Sequence, residues 1–315
     1  MIKKVMSFAL VAISIFILGI SCSGSEKKEQ GKQSLHLGVM SSMDYLPLAV
    51  AQREGYFDKI GVDIKLQKFY SANERDAAFQ SLNIDGTVID FTGAVLQKAG
   101  GIDLKLTSKC DAPFYIVAGA QSNIANLSEL KGKQVAVSQN TVIDFIVDMA
   151  LKSVNLTDAD IKKVEINKIP LRFEMLRNNK IDATGLPNPF ALMAQGAGDK
   201  ILTSNDSLGF AITGIMFHSK AIEAKGQLIS QMYEGYNLGV DYLNSHSAKD
   251  VEDILVKDLG FPVDIISTVE LPQYTHAQLP TDKDIQATVD WLKGKELIKS
   301  DFEPSILLDS QFLPE

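Results

Sequence analysis

One phrase occurs twice in this chain. Gln80-Ser81-Leu82-Asn83-Ile84-Asp85-Gly86 and Leu176-Arg177-Asn178-Asn179-Lys180-Ile181-Asp182-Ala183 each read as the end of a helix, a polar turn, Ile-Asp-small, and then a strand. One copy in each half of 315 residues constrains the fold to two lobes of similar build. A solenoid would show shorter and more numerous repeats. The length agrees, since a domain takes roughly 150 residues.

From Leu35 onward the patterns alternate between the two periods. Residues 35–40 (LHLGVM) form a short apolar strand, and Pro47 sits in the first turn of a helix that stops at Gly55. Residues 62–70 alternate apolar and polar side chains, which is the period of a strand. Ser71 and Glu74 have capping-box spacing and open a helix to about Leu82. Strands are expected at 87–90, 104–109, 114–120, 134–139, 164–170 and 183–186. Helices are expected from Thr92 or Gly93, from Asn140-Thr141, through Met175 and Leu176, and from Asn188-Pro189. The C-terminal third adds amphipathic stretches at 222–245 and 282–295. Strands alternating with helices define an α/β fold with largely parallel sheets.

The N-terminus has a different character. Lys3 and Lys4 precede Val5–Ile20, whose only polar residues are Ser7 and Ser14, and small residues lead to Cys22. A basic end, an apolar run and a small-residue exit describe a signal peptide over 1–21. A transmembrane span would want about 20 apolar residues. The Cys resembles the lipidated residue of a bacterial lipoprotein, although Gly19 stands where Leu is usual. Residues 22–33 would then be a lipidated, polar tether. Cys110 is the only other cysteine. A lipid on Cys22 would leave it unpartnered, as a small buried hydrophobe, and two cysteines exclude the usual zinc and iron–sulfur frameworks. No metal or cofactor is expected. A net charge of −8 and the lack of any basic block speak against nucleic acid as a partner.

Four segments carry a family resemblance: residues 55–69 (GYFDKIGVDIKLQKF), 74–90, 127–141 (LSELKGKQVAVSQNT) and 171–191 (LRFEMLRNNKIDATGLPNPFA). They resemble the periplasmic substrate-binding proteins of ABC importers, in the group that takes thiamine-pyrimidine precursors, alkanesulfonates, taurine, nitrate or bicarbonate. The likeness is clear over about 35–220 and loose beyond. It implies a two-lobed, type II periplasmic binding protein fold, with the ligand cleft between lobes joined by two crossover strands. The crossovers would be Phe114–Ala120 and Gly209–His218. Lobe one would be 34–118 plus 214–315, and lobe two 119–213. The implied molecule is a monomer anchored to the outer face of the membrane through lipid on Cys22. It would close its lobes on one small molecule and deliver it to a permease with its ATPase.

In open α/β sheets a ligand sits beyond the carboxyl ends of the strands. This places Ser41, Ser42, Asp44, Tyr45, Tyr70, Ser71, Asp90, Phe91, Thr92, Tyr115, Asn140, Thr141, Asn188 and Phe190 as candidate contacts. Ser71, Thr92, Thr141 and Asn188 also qualify as plain helix caps. Aromatic residues at strand ends suit a flat ring, with Asp44 or Asp90 accepting from an aminopyrimidine edge. A thiamine-precursor pyrimidine is therefore the expected ligand. An oxoanion is the alternative, with no Arg clamp evident among Arg53, Arg75, Arg172 and Arg177. No nucleophile–base motif, H-E-x-x-H or phosphate-binding glycine loop occurs, so an enzyme is not expected. An adhesin on a retained fold is a third class.

Overall fold

The computed structural model describes residues 33–314. The signal peptide, most of the tether and the lipidation of Cys22 lie outside these residues. Among them, no helix is long and apolar enough to cross a membrane.

Two five-stranded sheets organise the chain. The first contains β1 (Ser34–Met40), β2 (Asp63–Phe69), β3 (Gly86–Asp90), β4 (Leu104–Cys110) and β10 (Thr213–His218), in the order β2-β1-β3-β10-β4. The second contains β5 (Phe114–Ala118), β6 (Gln134–Val137), β7 (Lys162–Glu165), β8 (Ala183–Pro187) and β9 (Lys200–Ser204), in the order β7-β6-β8-β5-β9. In each, three parallel strands are followed by an antiparallel strand from the chain that has just crossed over. The sheets thus match strand for strand.

The duplicated phrase explains the match. Asp85 accepts from the His36 N–H at 2.8 Å, and Asp182 accepts from the Gln134 N–H at 2.7 Å. Each carboxylate pins the start of the neighbouring parallel strand. Thr87 and Thr184 donate to Gly38 and Ala136 carbonyls, both at 2.9 Å. The small residue leaves room for packing: a Cβ on Gly86 would lie 2.3 Å from the Phe217 ring.

The helices are α1 (Leu46–Arg53), α2 (Tyr56–Ile60), α3 (Ala72–Gln80), α4 (Phe91–Ala99), α5 (Val142–Ser153), α6 (Ile169–Arg177), α7 (Phe190–Gly196) and α8 (Asn205–Leu208). The C-terminal third adds α9 (Ser219–Ser245), α10 (Glu252–Ile254) and α11 (Asp282–Gly294). The long α9 packs along α1 in the first lobe, and α11 lies against α4. A core of buried apolar residues runs through both lobes, with Phe145 of α5 edge-on to Trp291 of α11 at 5.6 Å.

Four local expectations differ from the structure. Phe114–Ala118 is a strand of the second sheet, so the chain changes lobe at 111–113, before the expected 118/119 boundary. The return crossing lies at 209–212, and β10 already belongs to the first sheet. The expected strand 164–170 ends at Glu165, because Ile169 and Pro170 begin α6. Glu74 does not close the capping box: Ser71 accepts from its N–H, while its carboxylate lies 3.3 Å from Lys168 of the other lobe.

Candidate functional site

Where the two lobes face each other they line a partly open cavity of about 50 Å³. The first lobe lines it with Met40 and Asp90 at strand ends, Ser42 and Asp44 in the turn after β1, Ala72 and Arg75 of α3, and Thr213. The second lobe contributes Ser138 and Thr141 after β6, Val142 and Ile143 of α5, and Asn167, Ile169 and Arg172 around the start of α6.

Two arginines dominate the electrostatics. Arg75 is buried, and its guanidinium donates to Asp76 at 2.8 Å and to Asp90 at 3.2 Å. Its charge is therefore already matched. Arg172 is 1% exposed and has no carboxylate partner among the described residues. It donates only to carbonyls: Ile166 at 2.9 Å, and Asn167 and Gly185 at 3.4 Å. Burial pulls its pKa down to about 10, so it is protonated at neutral pH. A buried cation left without a counter-charge is destabilising by several kcal/mol. An anion in the cavity would offset that cost. The first turns of α5 and α6 also line the cavity, and α6 lacks a side-chain cap. Helix starts present free N–H groups and partial positive charge. The wall from the second lobe is thus electropositive.

The first lobe's wall differs. Ser42 Oγ, Asp44 Oδ1 and Thr213 Oγ1 are buried with no hydrogen-bond partner among the described residues. Buried polar atoms are nearly always satisfied, so three orphans around one cavity make it the candidate binding site. Burial raises the Asp44 carboxyl to about 6, against the opposing pull of the Arg75 charge.

Of the fourteen candidate residues, Ser42, Asp44, Asp90 and Thr141 line this cavity. Asp90 caps α4 through the Gly93 N–H and accepts from Thr92. Thr141 caps α5, and Ser71 caps α3. Tyr45 and Phe91 are buried in core clusters. Tyr70 is 52% exposed, and Ser41 is buried outside the lining. Tyr115 lines a second hollow beside the crossovers, and Asn140 lines a third between α3 and α4. Asn188 is buried with an unpartnered Oδ1 but does not reach the lining. Phe190 packs on Phe173 with ring centres 5.7 Å apart. Of the aromatic residues at strand ends, Phe114 lines the cavity.

The arginines are what the residue types at strand ends did not reveal. Arg75 stands ten residues before Asp85, and Arg172 ten before Asp182. They occupy the same position in the two copies of the phrase, and the repeat brings them to one cavity. Extending it backwards would have found both.

Two lobes of matched α/β build around an interlobe cavity constitute the periplasmic binding protein fold. The chain belongs to the NMT1-like family, which matches residues 28–248. A Bacillus subtilis (strain 168) protein named for binding aliphatic sulfonates is 23% identical over 248 residues, covering 75% of this chain and 73% of its own. An ABC transporter periplasmic binding protein of Brachyspira hyodysenteriae is 23% identical over 221 residues, 64% of this chain and 62% of its own. Among solved structures, the alkanesulfonate-binding protein SsuA of Xanthomonas axonopodis pv. citri superposes with a TM-score of 0.72 at 19% identity, over 88% of this chain and 98% of that one.

Proposed function

We propose that this protein is the extracytoplasmic solute-binding component of an ABC importer, and that it captures a small oxoanion of the sulfonate or nitrate type by lobe closure. The observation that carries this reading is Arg172, a buried guanidinium without a carboxylate among the described residues, set beside the starts of two helices at the interlobe cavity. At about 50 Å³ the cavity has room for the oxoanion head of a ligand, and any larger solute, a sulfonate's carbon chain or a pyrimidine ring alike, requires the lobes to part. The names of the Bacillus and Xanthomonas relatives point the same way. The bound solute would pass to a permease, with the protein held as a monomer at the membrane by lipid on Cys22. Binding and release need no catalytic group.

Thermal shift of the purified full-length chain tests this against alkanesulfonates, taurine, nitrate, bicarbonate, aminopyrimidines and thiamine. A ligand at 100 times its Kd adds about 2.7 kcal/mol, a rise of several degrees in Tm. A shift with a sulfonate or nitrate is expected. A shift with aminopyrimidines alone would overturn the oxoanion reading and restore the flat ring. No shift with any compound would favour the adhesin.

A further inference from the structure

We infer that Asp44 is a specificity-determining residue that requires the bound anion to carry a hydrogen-bond donor, an N–H or O–H, beside its oxygens. The inference rests on the oxoanion reading and deepens it.

The two walls of the cavity ask for different things. The wall built by Arg172 and the starts of α5 and α6 offers donors and positive charge. Across from it, the Asp44 carboxyl is 6% exposed, lines the cavity and has an oxygen with no partner among the described residues. Arg75 makes no hydrogen bond to that oxygen; its guanidinium donates to Asp76, Asp90 and the Met40 sulfur. An ionised carboxylate only accepts hydrogen bonds. Asp44 is ionised for the most part above neutral pH, its carboxyl lying at about 6. A bare oxoanion would bring more acceptor oxygens and a like charge toward it, and leave it unsatisfied. A ligand with a hydroxyl or amino group at one end and an oxoanion at the other would satisfy both walls. The hydroxyls of Ser42 and Thr213, also orphaned, can donate or accept and so do not discriminate. The carboxylate is the element that does. Sites built to bind a donor reject analogues lacking it far more strongly than sites that discriminate by size alone.

Calorimetric titration with a matched pair, ethanesulfonate and 2-hydroxyethanesulfonate, tests this, with taurine as the amino counterpart. The full-length protein is expected to bind the hydroxyl or amino compound at least about tenfold more tightly than ethanesulfonate. In Asp44→Asn the amide can donate to a sulfonate oxygen, so the preference should collapse as ethanesulfonate binding improves. Asp44→Ser should also lose the preference, which guards against a folding defect in either variant; melting curves of both establish folding. Equal wild-type affinities would mean that ordered water satisfies Asp44, and would overturn the inference while the oxoanion reading stands. A preference that survives both substitutions would also overturn it. Failure of every sulfonate to bind, with another solute binding, would remove the oxoanion reading itself and this inference with it.

Discussion

Arg172 holds a position that a stable protein without a ligand would fill more economically with an apolar side chain. It is enclosed, charged and without a carboxylate among the described residues. Replacing a buried ionic group by an apolar one of similar volume is often neutral or stabilising. Arg172→Met is therefore expected to leave the ligand-free Tm within a few degrees, while oxoanion affinity by titration falls at least about tenfold. Asp44 adds a pH signature. Its carboxyl ionises near 3.9 in an unfolded chain and at about 6 in the folded one, through burial. Between those values the folded state holds the extra proton, so this group's contribution to stability falls as pH rises. The groups acting on it are Arg75 and Asp90, with Ser42, Tyr274 and Cys110 nearby and neutral in this range. Asp44→Asn is expected to be more stable than wild type above pH 6, by up to about 3 kcal/mol. Melting curves should show the gap closing toward pH 4. Tyr70→Ala, at a side chain open to solvent, should leave oxoanion affinity unchanged.

At the scale of elements, the alternation of periods carried most of the fold. Strands at 35–40, 62–70 and 183–186 were legible because their apolar residues are bounded by turn chemistry, and the observed strands fall there. The stretch 164–170 misled because apolar Ile166 and Ile169 continue a strand-like pattern across the start of a helix. Strand-end position found Asp44 and Ser42, but also selected Tyr45 and Phe91, which pack into the core. Period alone does not say which of two neighbouring side chains turns toward a cleft. Arg75 and Arg172 lie inside helices, where long basic residues normally face water. Only the repeat singles them out. The turn bearing Asp44 runs straight into α1, and α1 is fixed by α9. A Cβ on Gly239 would lie 2.2 Å from the Pro47 carbonyl oxygen. Gly239→Ala is expected to destabilise the protein by about 1–3 kcal/mol in denaturant melts, by forcing the two helices apart.

For the whole molecule, closure is held at two places. At the cleft, Lys168 and Glu74 meet across the lobes at 3.3 Å, both well exposed. Away from it, Trp291 Nε1 and Lys295 of the first lobe reach Asp148 of α5, each at 2.9 Å. A double-mutant cycle on this exposed pair is expected to give less than about 1 kcal/mol. The chain enters the second lobe and leaves it within a few residues, at 111–113 and 209–212, and this has a consequence for how it is made. β4 is complete at Cys110, yet its neighbour in the sheet, β10, begins only at Thr213. A growing chain therefore holds the backbone edges of β3 and β4 unpaired while the entire second lobe is synthesised. The contiguous lobe has all its strands in hand first, so it can fold as a unit and return a template to which the earlier strands add. Until then the first sheet is two separate pieces with open edges, the condition in which chains adhere to one another.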